Sequence, residues 1–403
     1  MLHEKNLLPE KPLAWGQARS CIRELAEYGW KRREEIGAEN VFDFSLGNPS
    51  IPAPPGVNAA IAELIQGDSV ALHGYTTAAG LPALRGKIAE DLNARFGTDV
   101  SPARIYVTCG AAAGLAISLR ATLLPGDEVV ALAPFFPEYR VFVEASGGVL
   151  VAVQPRPSDF QPDLEAFAAA LNEKTKAVIL NSPNNPSGVV VREEYLLGLT
   201  AALRRHEEAV GHPVYLICDE PYRELVYDGV QVPCVFNCYD DAILCYSFSK
   251  SMSIPGERIG YLAVGSHMRG GDAVYAAILG AGRALGYVNP PSLFQRVVEK
   301  CLGQTADISQ YQENRDLLLG ALREIGYTCV EPQGAFYLFV KSPEPDAKAF
   351  SERAKRHELL LVPSDDFGTP GYVRIAYCVS KEMILRALPA FRALLAEYGA
   401  PAP

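Results

Sequence analysis

The strongest constraint on the fold is the alternation of short apolar runs with helical patterns between about residues 56 and 290. Several runs are apolar throughout, which is typical of strands that helices cover on both faces. The pattern therefore predicts an α/β fold with a mostly parallel, seven-stranded sheet between helices. The predicted strands are 105–108, 128–133, 149–154, 177–180, 214–219, 242–247 and 259–264.

The pattern changes after about residue 290. A helical pattern runs from Ser292 to Ile325, and the strand-like pieces YTCVEP, AFYLFVK and YVRIAYC follow. Near the start, a helical pattern over Ile22–Glu35 precedes the strand-like VFDFSL. A chain of 403 residues suits two domains. We predict a large domain over 51–290 and a smaller, discontinuous α+β domain made of 1–50 and 291–403.

Charge and hydropathy exclude several classes of partner. The net charge of -10 argues against nucleic acid, because phosphate binding needs clustered Lys and Arg. No apolar run approaches the roughly 18 residues of a membrane span. The first residues lack the basic start and apolar stretch of a secretory signal, so we expect a cytoplasmic protein. The nine cysteines show no spacing that predicts a metal site.

The segment from Ser247 to Arg258 is the most informative one for chemistry. Lys250 follows a predicted buried strand directly and lies among small hydroxyl residues. A lysine at a strand end usually faces solvent. In open α/β sheets, however, ligands bind at the carboxyl ends of the strands, and hydroxyls with a guanidinium suit a phosphate.

This segment resembles the lysine signature of the class I and II aminotransferases, the fold-type I pyridoxal-phosphate (PLP) enzymes related to aspartate aminotransferase. The resemblance implies the fold of a fold-type I PLP-dependent transferase. It also implies that Lys250 carries pyridoxal 5′-phosphate as a Schiff base. Ser247, Ser249 and Arg258 are then expected to bind the phosphate.

Asp219 and Tyr222 lie in the motif Asp-Glu-Pro-Tyr, directly after the strand VYLIC. An aspartate in this place often caps the following helix. PLP chemistry needs a carboxylate against the pyridine nitrogen, so that the ring can accept electrons. The resemblance gives Asp219 that role and implies that Tyr222 hydrogen-bonds the phenolic oxygen of the ring.

Three further segments agree with the family. Asn185 lies in a loop rich in turn-forming residues, and the resemblance implies that it contacts the phenolic oxygen and the substrate carboxylate. Small residues after the strand IYVT suit an anion at a helix N-terminus. By resemblance this is the phosphate loop, with backbone donors at 110–112 (Gly110, Ala111 and Ala112). Phe136 matches the aromatic residue that stacks on the pyridine ring.

Residues near both ends complete the resemblance. Tyr75 matches a tyrosine that reaches the phosphate of the neighbouring subunit, which implies a homodimer. Gly47 matches a glycine beside the substrate carboxylate. Arg374 matches the arginine that grips this carboxylate in a bidentate fork. The helix Ile22–Glu35 is expected to lie over the active site, as N-terminal segments do in this family.

The resemblance implies transfer of the amino group of an L-amino acid to a 2-oxo acid, with 2-oxoglutarate as the expected acceptor. Lys250, Asp219 and Tyr222 are the expected catalytic residues. Three alternatives on the same scaffold stay open, because they use the same residues: β-elimination from a cysteine conjugate, decarboxylation and ring closure.

Overall fold

The structure is a computed structural model that describes residues 8–18 and 20–399. The first six residues, on which the expectation about targeting rests, lie outside this description. Within the described part of the chain, no helix combines the length and the apolar character that crossing a membrane requires.

A seven-stranded sheet forms the centre of the molecule, in the order β2-β8-β7-β6-β5-β3-β4. Only β8 runs antiparallel to its neighbours. The predicted mostly parallel sheet is therefore confirmed. Its strands are β2 (Ile105–Thr108), β3 (Glu128–Leu132), β4 (Val149–Val153), β5 (Thr175–Asn181), β6 (Tyr215–Asp219), β7 (Ala242–Ser247) and β8 (Gly260–Val264).

Both faces of this sheet are buried, which explains why its strands are apolar throughout. In β6, Ile217 belongs to one apolar cluster, while Leu216 and Cys218 belong to another on the opposite face. The helices along the chain are α1 (Glu10–Gln17), α2 (Cys21–Ile36), α3 (Pro55–Leu64), α4 (Ser69–His73), α5 (Pro82–Phe96), α6 (Ala111–Thr122), α7 (Glu138–Ala145), α8 (Leu164–Ala170), α9 (Glu193–Val210), α10 (Phe248–Ser251), α11 (Gly271–Ala284), α12 (Ser292–Cys301), α13 (Ser309–Ile325), α14 (Ala347–Ala354) and α15 (Lys381–Ala396).

Two smaller sheets lie beyond the central one. One is antiparallel with the order β12-β13-β10-β9, and the other pairs β1 with β11 in parallel. The three strand-like pieces predicted after residue 325 correspond to β9, β10 and β13. The bounds are β1 (Phe42–Asp43), β9 (Cys329–Val330), β10 (Tyr337–Lys341), β11 (Leu359–Leu360), β12 (Val362–Pro363) and β13 (Tyr372–Ala376).

The predicted continuous helix from Ser292 to Ile325 is wrong. Two helices, α12 and α13, occupy this region, and a non-helical segment separates them. Gly303 has a φ of 86°, in the left-handed region that favours glycine. The backbone N–H of Ala306 donates to the carbonyl of Ser251 at 2.7 Å, which ties the segment to the chain beside Lys250.

The division into a large and a small domain stays a prediction. In the structure, α12 packs against α3 and α5, beside the central sheet. Helix α13 packs against α15, and β1 pairs with β11 near the opposite end of the sequence.

The carboxyl ends of the central strands bring polar residues together. Asn181 ends β5 and pairs in register with Asp219, which ends β6. Ser247 ends β7 and lies opposite Gly260 of β8. This edge therefore collects an amide, a carboxylate and a hydroxyl from segments that are distant in sequence.

Leu262 in β8 gives a test of the packing that holds this edge. Its side chain is fully buried in the cluster shared with α6 and α11. Replacing Leu262 with Ala leaves a cavity, so we expect the free energy of unfolding to fall by about 2–5 kcal/mol. Urea denaturation checks this value. Leu385→Ala, at a half-exposed position, is the control and should change it by less than about 0.5 kcal/mol. Equal losses for the two variants would contradict the packing described here.

Candidate active site

A cavity of about 300 Å³ opens at the carboxyl edge of the central sheet. Every residue that the sequence predicts for the site lines it, except Gly110 and Tyr75. The lining residues that were predicted are Gly47, Ala111, Ala112, Phe136, Asn185, Asp219, Tyr222, Ser247, Ser249, Lys250, Arg258 and Arg374. The structure thus brings together residues that span most of the chain.

Lys250 lies on the short helix α10, directly after β7. Its Nζ donates to the carbonyl oxygen of Gly47 at 2.8 Å and lies 5.1 Å from the ring centroid of Phe336. Burial, together with the nearby cations Arg374 and Arg258, lowers the pKa of Lys250 to about 8. The amine is therefore closer to its neutral, nucleophilic form than an exposed lysine is.

Hydroxyls, a guanidinium and a helix N-terminus surround one end of the cavity. Ser247 Oγ donates to Ser249 Oγ at 2.8 Å, and Arg258 Nη1 lies 3.4 Å from the same Ser249 oxygen. Ala111 and Ala112 begin α6, so their N–H groups have no partner within the helix. Hydroxyls, guanidinium and helix N-terminus together suit an anion such as phosphate.

Gly110 does not line the cavity, but it leaves space for Arg258, which does. It precedes α6 with a φ of 86°, in the left-handed region. A Cβ at this position would lie 2.8 Å from Arg258 Nη2. A glycine is therefore needed both for the backbone conformation and for the close approach of Arg258.

Asp219 is a buried carboxylate with one of its oxygens unpaired. Tyr139 donates to Oδ2 at 2.5 Å, whereas Oδ1 has no hydrogen-bond partner among the residues described. Burial raises the pKa of Asp219 to about 7, and the hydrogen bond from Tyr139 opposes that rise. Burial also raises the pKa of Tyr139 well above its ordinary value, so this phenol stays protonated and donates. The free oxygen of Asp219 can accept a proton donor or face a cation in the cavity.

Arg374 lies on β13 and points into the cavity from the other side. Its Nη1 donates to Asn185 Oδ1 at 3.1 Å, and its Nη2 donates to the carbonyl of Ser45 at 2.5 Å. The ring of Tyr337 lies 4.6 Å from its guanidinium carbon. Its Nε is buried and has no hydrogen-bond acceptor among residues 8–18 and 20–399. The guanidinium is thus rigidly held while one donor remains available for a carboxylate.

The comparisons with known proteins agree with this arrangement. The sequence profile of the family described as "Aminotransferase class I and II" matches residues 39–391. The chain belongs to that family. Its members are generally PLP-dependent and typically homodimeric. The match covers the phosphate loop, the lysine segment and the arginine on β13.

Individual relatives support the same assignment. An aspartate aminotransferase of Thermotoga maritima is 32% identical over 87% of this chain and 90% of its own length. The aspartate/prephenate aminotransferase of Thermus thermophilus is also 32% identical, over 87% and 90%. A crystal structure of an aminotransferase from Eubacterium rectale has a TM-score of 0.95 and 51% identity, covering 97% of this chain and 99% of that one. The protein is an aminotransferase, and the predicted fold class is confirmed.

Sequence reasoning missed several residues that shape the site of this aminotransferase. Tyr139 holds Asp219, and Asn181 donates to the Asp219 carbonyl at 2.8 Å. Tyr337 lines the cavity and contacts Tyr222 through its hydroxyl at 3.0 Å. Tyr139 stands in the segment after β3 and Asn181 begins the loop that contains Asn185, but neither motif indicates these contacts. Tyr337 lies in a predicted strand that carried no signal for the site.

The helix α2, which covers the predicted helix Ile22–Glu35, reaches the cavity, as expected. Ile22 of α2 lines the cavity, while Leu25 of the same helix packs in a cluster with Leu360 and Phe367. Trp15 of α1 donates to Glu144 Oε2 on α7 at 3.2 Å. Helix α1 therefore contacts α7, and α2 contributes Ile22 to the cavity wall.

Tyr75 is the predicted site residue that lies apart from the cavity. Its side chain is 99% exposed. A tyrosine so exposed makes no use of its aromatic ring within its own chain. Its role in the neighbouring subunit stays a prediction.

The raised pKa of Asp219 makes a prediction about stability. In the cofactor-free protein the folded state keeps the proton up to about pH 7, whereas the ordinary pKa is 3.8. The contribution of Asp219 to stability therefore falls as pH rises from about 4 to 7. Asparagine does not ionise, so the Asp219→Asn variant does not share this loss. The unfolding free energy of the variant minus that of wild type should therefore increase from pH 4 to 7, by at most about 1.4 kcal/mol per pH unit.

Thermal or urea unfolding at several pH values measures this difference. The amide oxygen that Asp219→Asn introduces can still accept the hydrogen bond from Tyr139, which limits the comparison to the charge. Asp240→Asn, at an exposed position, is the control. Parallel pH profiles for wild type and Asp219→Asn would contradict the assignment of a raised pKa.

Proposed function

We propose that this aminotransferase holds pyridoxal 5′-phosphate on Lys250 and moves the amino group of an L-amino acid to a 2-oxo acid. One observation carries the proposal. The unpaired Asp219 Oδ1, the unpaired Arg374 Nε and the amine of Lys250, with its lowered pKa, belong to residues that line a single cavity. Together these groups suit a protonated ring nitrogen, a carboxylate and an aldehyde.

The residues of the cavity fit the cofactor. Asp219 would hold the protonated pyridine nitrogen, because its free oxygen has no other partner in the described structure. Tyr222 and Asn185 would contact the phenolic oxygen, and Phe136 would stack on the ring. Bound PLP withdraws electrons from the α-carbon of the amino acid and so makes its proton acidic. Ser247, Ser249, Arg258 and backbone amides at 110–112 would bind the phosphate.

Lys250 would carry the proton during transfer. Because burial lowers its pKa to about 8, a useful fraction of the amine is neutral near neutral pH. Its Nζ can then accept the α-proton of the substrate and afterwards return it to the cofactor, as transamination requires. In the cofactor-free protein, the hydrogen bond to the Gly47 carbonyl holds the amine at the cavity.

Arg374 would orient the substrate through its carboxylate. Nε is free, and Asn185 and Ser45 fix the rest of the guanidinium. A guanidinium held in this way binds a planar carboxylate with little further loss of side-chain entropy. Gly47 also lines the cavity, and its missing side chain leaves room for the hydroxyl of Tyr337.

A panel of amino donors with 2-oxoglutarate tests the reaction. Aspartate is the first donor to try, because the Thermotoga maritima and Thermus thermophilus relatives carry it in their names. Transamination gives the 2-oxo acid of the donor and glutamate without ammonia, and the donor without 2-oxoglutarate gives the 2-oxo acid and pyridoxamine phosphate. Release of ammonia with pyruvate from a cysteine conjugate, or of carbon dioxide, would instead identify a lyase or a decarboxylase.

Replacing Lys250 with Ala should abolish steady-state transamination, because both the covalent attachment and the proton carrier are lost. The yellow absorbance band of the holoenzyme should disappear as well. Absorbance spectra and the donor assay measure the two effects. Lys300→Ala, at an exposed lysine paired with Glu63, is the control and should keep both. Wild-type turnover by Lys250→Ala would overturn the proposal.

We also infer that the active form is a homodimer in which Tyr75 serves the partner's site. The region around Tyr75 exposes apolar side chains at Ile65 and Val70, and a second such segment follows at 285–288. Ser292 Oγ donates to the Leu72 carbonyl at 2.6 Å, which joins the two segments. Exposed apolar surface of this kind is typical of an interface.

Hybrid dimers test the position of Tyr75. Tyr75→Phe should weaken PLP binding about 10- to 100-fold, since it removes a hydrogen bond to a charged phosphate. Mixing Lys250→Ala chains with Tyr75→Phe chains should then restore one complete site per hybrid. Cofactor titration and activity of the mixture measure this. A mixture no better than Tyr75→Phe alone would show that Tyr75 acts within its own chain or not at all.

The thiols support the cytoplasmic location that we propose. All nine cysteines are free, and most are buried. Free buried thiols are usual in a reducing compartment.

A further inference from the structure

Tyr337 occupies a central place in the cavity that the transamination chemistry above does not use. It begins β10, its side chain is buried, and its hydroxyl lies 3.0 Å from the hydroxyl of Tyr222. The two rings meet edge to face, with centroids 5.8 Å apart at 80°. Two buried phenols in direct contact form a hydrogen bond whose direction depends on which of them donates.

The same side chain contacts the other working groups. A Cβ at Gly47 would overlap the Tyr337 hydroxyl, so this glycine leaves the space that the phenol fills. The Gly47 carbonyl in turn accepts the hydrogen bond from Lys250. The guanidinium of Arg374 lies over the Tyr337 ring. Tyr337 therefore adjoins the residue that holds the lysine, the residue that grips the carboxylate and Tyr222.

The proton count decides the direction of the Tyr222–Tyr337 hydrogen bond in the loaded enzyme. A tyrosine hydroxyl has one proton to donate and lone pairs to accept. With the cofactor bound as proposed, Tyr222 would donate its proton to the phenolic oxygen of the ring, so the hydrogen bond between the two tyrosines would use the proton of Tyr337. Burial raises the pKa of Tyr337 to about 12, so the proton is present at neutral pH.

We propose that Tyr337 is a positioning residue whose hydroxyl donates to Tyr222 and thereby directs the Tyr222 proton to the cofactor. The proposal rests on the proposed function of the site. Donation to Tyr222 polarises its O–H bond, because hydrogen bonds in a chain strengthen one another. Tyr222 then stabilises negative charge on the phenolic oxygen more strongly than it would alone.

The consequence is a lower pKa for the nitrogen that joins Lys250 to the cofactor. Without Tyr337, the phenolic oxygen is more basic and holds the proton that it shares with this nitrogen more tightly. Tyr337→Phe removes only the hydroxyl and keeps the ring under Arg374. We therefore expect the pKa read from the absorbance of the holoenzyme to rise by roughly 0.3–1 unit, a fraction of a full hydrogen bond.

The experiment is a spectral pH titration of the wild-type and Tyr337→Phe holoenzymes, with the KM of the amino donor measured beside it. The KM should stay within about twofold, because the contact between the ring and Arg374 remains. Tyr327→Phe is the matched control. It also loses a buried tyrosine hydrogen bond, to the Phe391 carbonyl at 2.9 Å, but Tyr327 does not line the cavity. It should leave the spectral pKa unchanged.

A double-mutant cycle with Tyr222→Phe separates a positioning role from a structural one. If Tyr337 acts through Tyr222, adding Tyr337→Phe to Tyr222→Phe should not move the spectral pKa further. Additive shifts, or no shift in the single variant, would overturn the proposal. A wild-type protein without the absorbance band would instead overturn the proposed function. Should Tyr337→Phe unfold, Tyr337→Met offers a second side chain without a hydroxyl, and the same shift is expected.

Discussion

The architecture of the site depends on one buried carboxylate that is only half satisfied. Asp219 ends a central strand and receives a single side-chain hydrogen bond, from Tyr139. A charge in such a place is costly unless something else completes its environment. The surrounding sheet nevertheless holds it firmly, since Asn181 binds its backbone and neighbouring strands pair on both sides. The protein thus maintains an electrostatic demand that a bound cation can meet.

Arg374 is a cation that is also fixed in place with one polar atom unpaired. Its guanidinium is fixed by Asn185 and by a backbone carbonyl, while one nitrogen lacks an acceptor within the described chain. An unsatisfied anion and an unsatisfied cation therefore belong to one cavity. This arrangement gives the cavity a direction. A molecule that carries a positive and a negative group has one favourable orientation in the cavity. The side chains that favour this orientation are held in place before the molecule binds.

The central sheet could be predicted from the sequence because both of its faces are buried. Its strands therefore consist of continuous apolar runs, which stand out in the sequence. The sequence also located Lys250, Asp219 and Arg374, because motifs at strand ends are local in sequence. It could not locate Tyr337, which is 115 residues from its partner Tyr222 and meets it only in the folded chain. The predicted helix over 292–325 failed for a related reason. The helical pattern continued past Gly303, but α12 ends at Cys301, and a hydrogen bond from Ala306 ties the following segment to Ser251.

The position of Ile22 has a consequence for how such enzymes diversify. Several groups that line the cavity, such as Asp219 and Arg374, stand on strands, where a change disturbs a packed sheet. Ile22 instead belongs to a helix at the mouth, and its neighbour Arg23 is already exposed. A new side chain at position 22 alters the rim of the cavity and contacts only the small apolar cluster around Leu25, away from the central sheet. Selection can therefore change the range of substrates at this helix without risking the fold, so that specificity and stability evolve on separate parts of the chain.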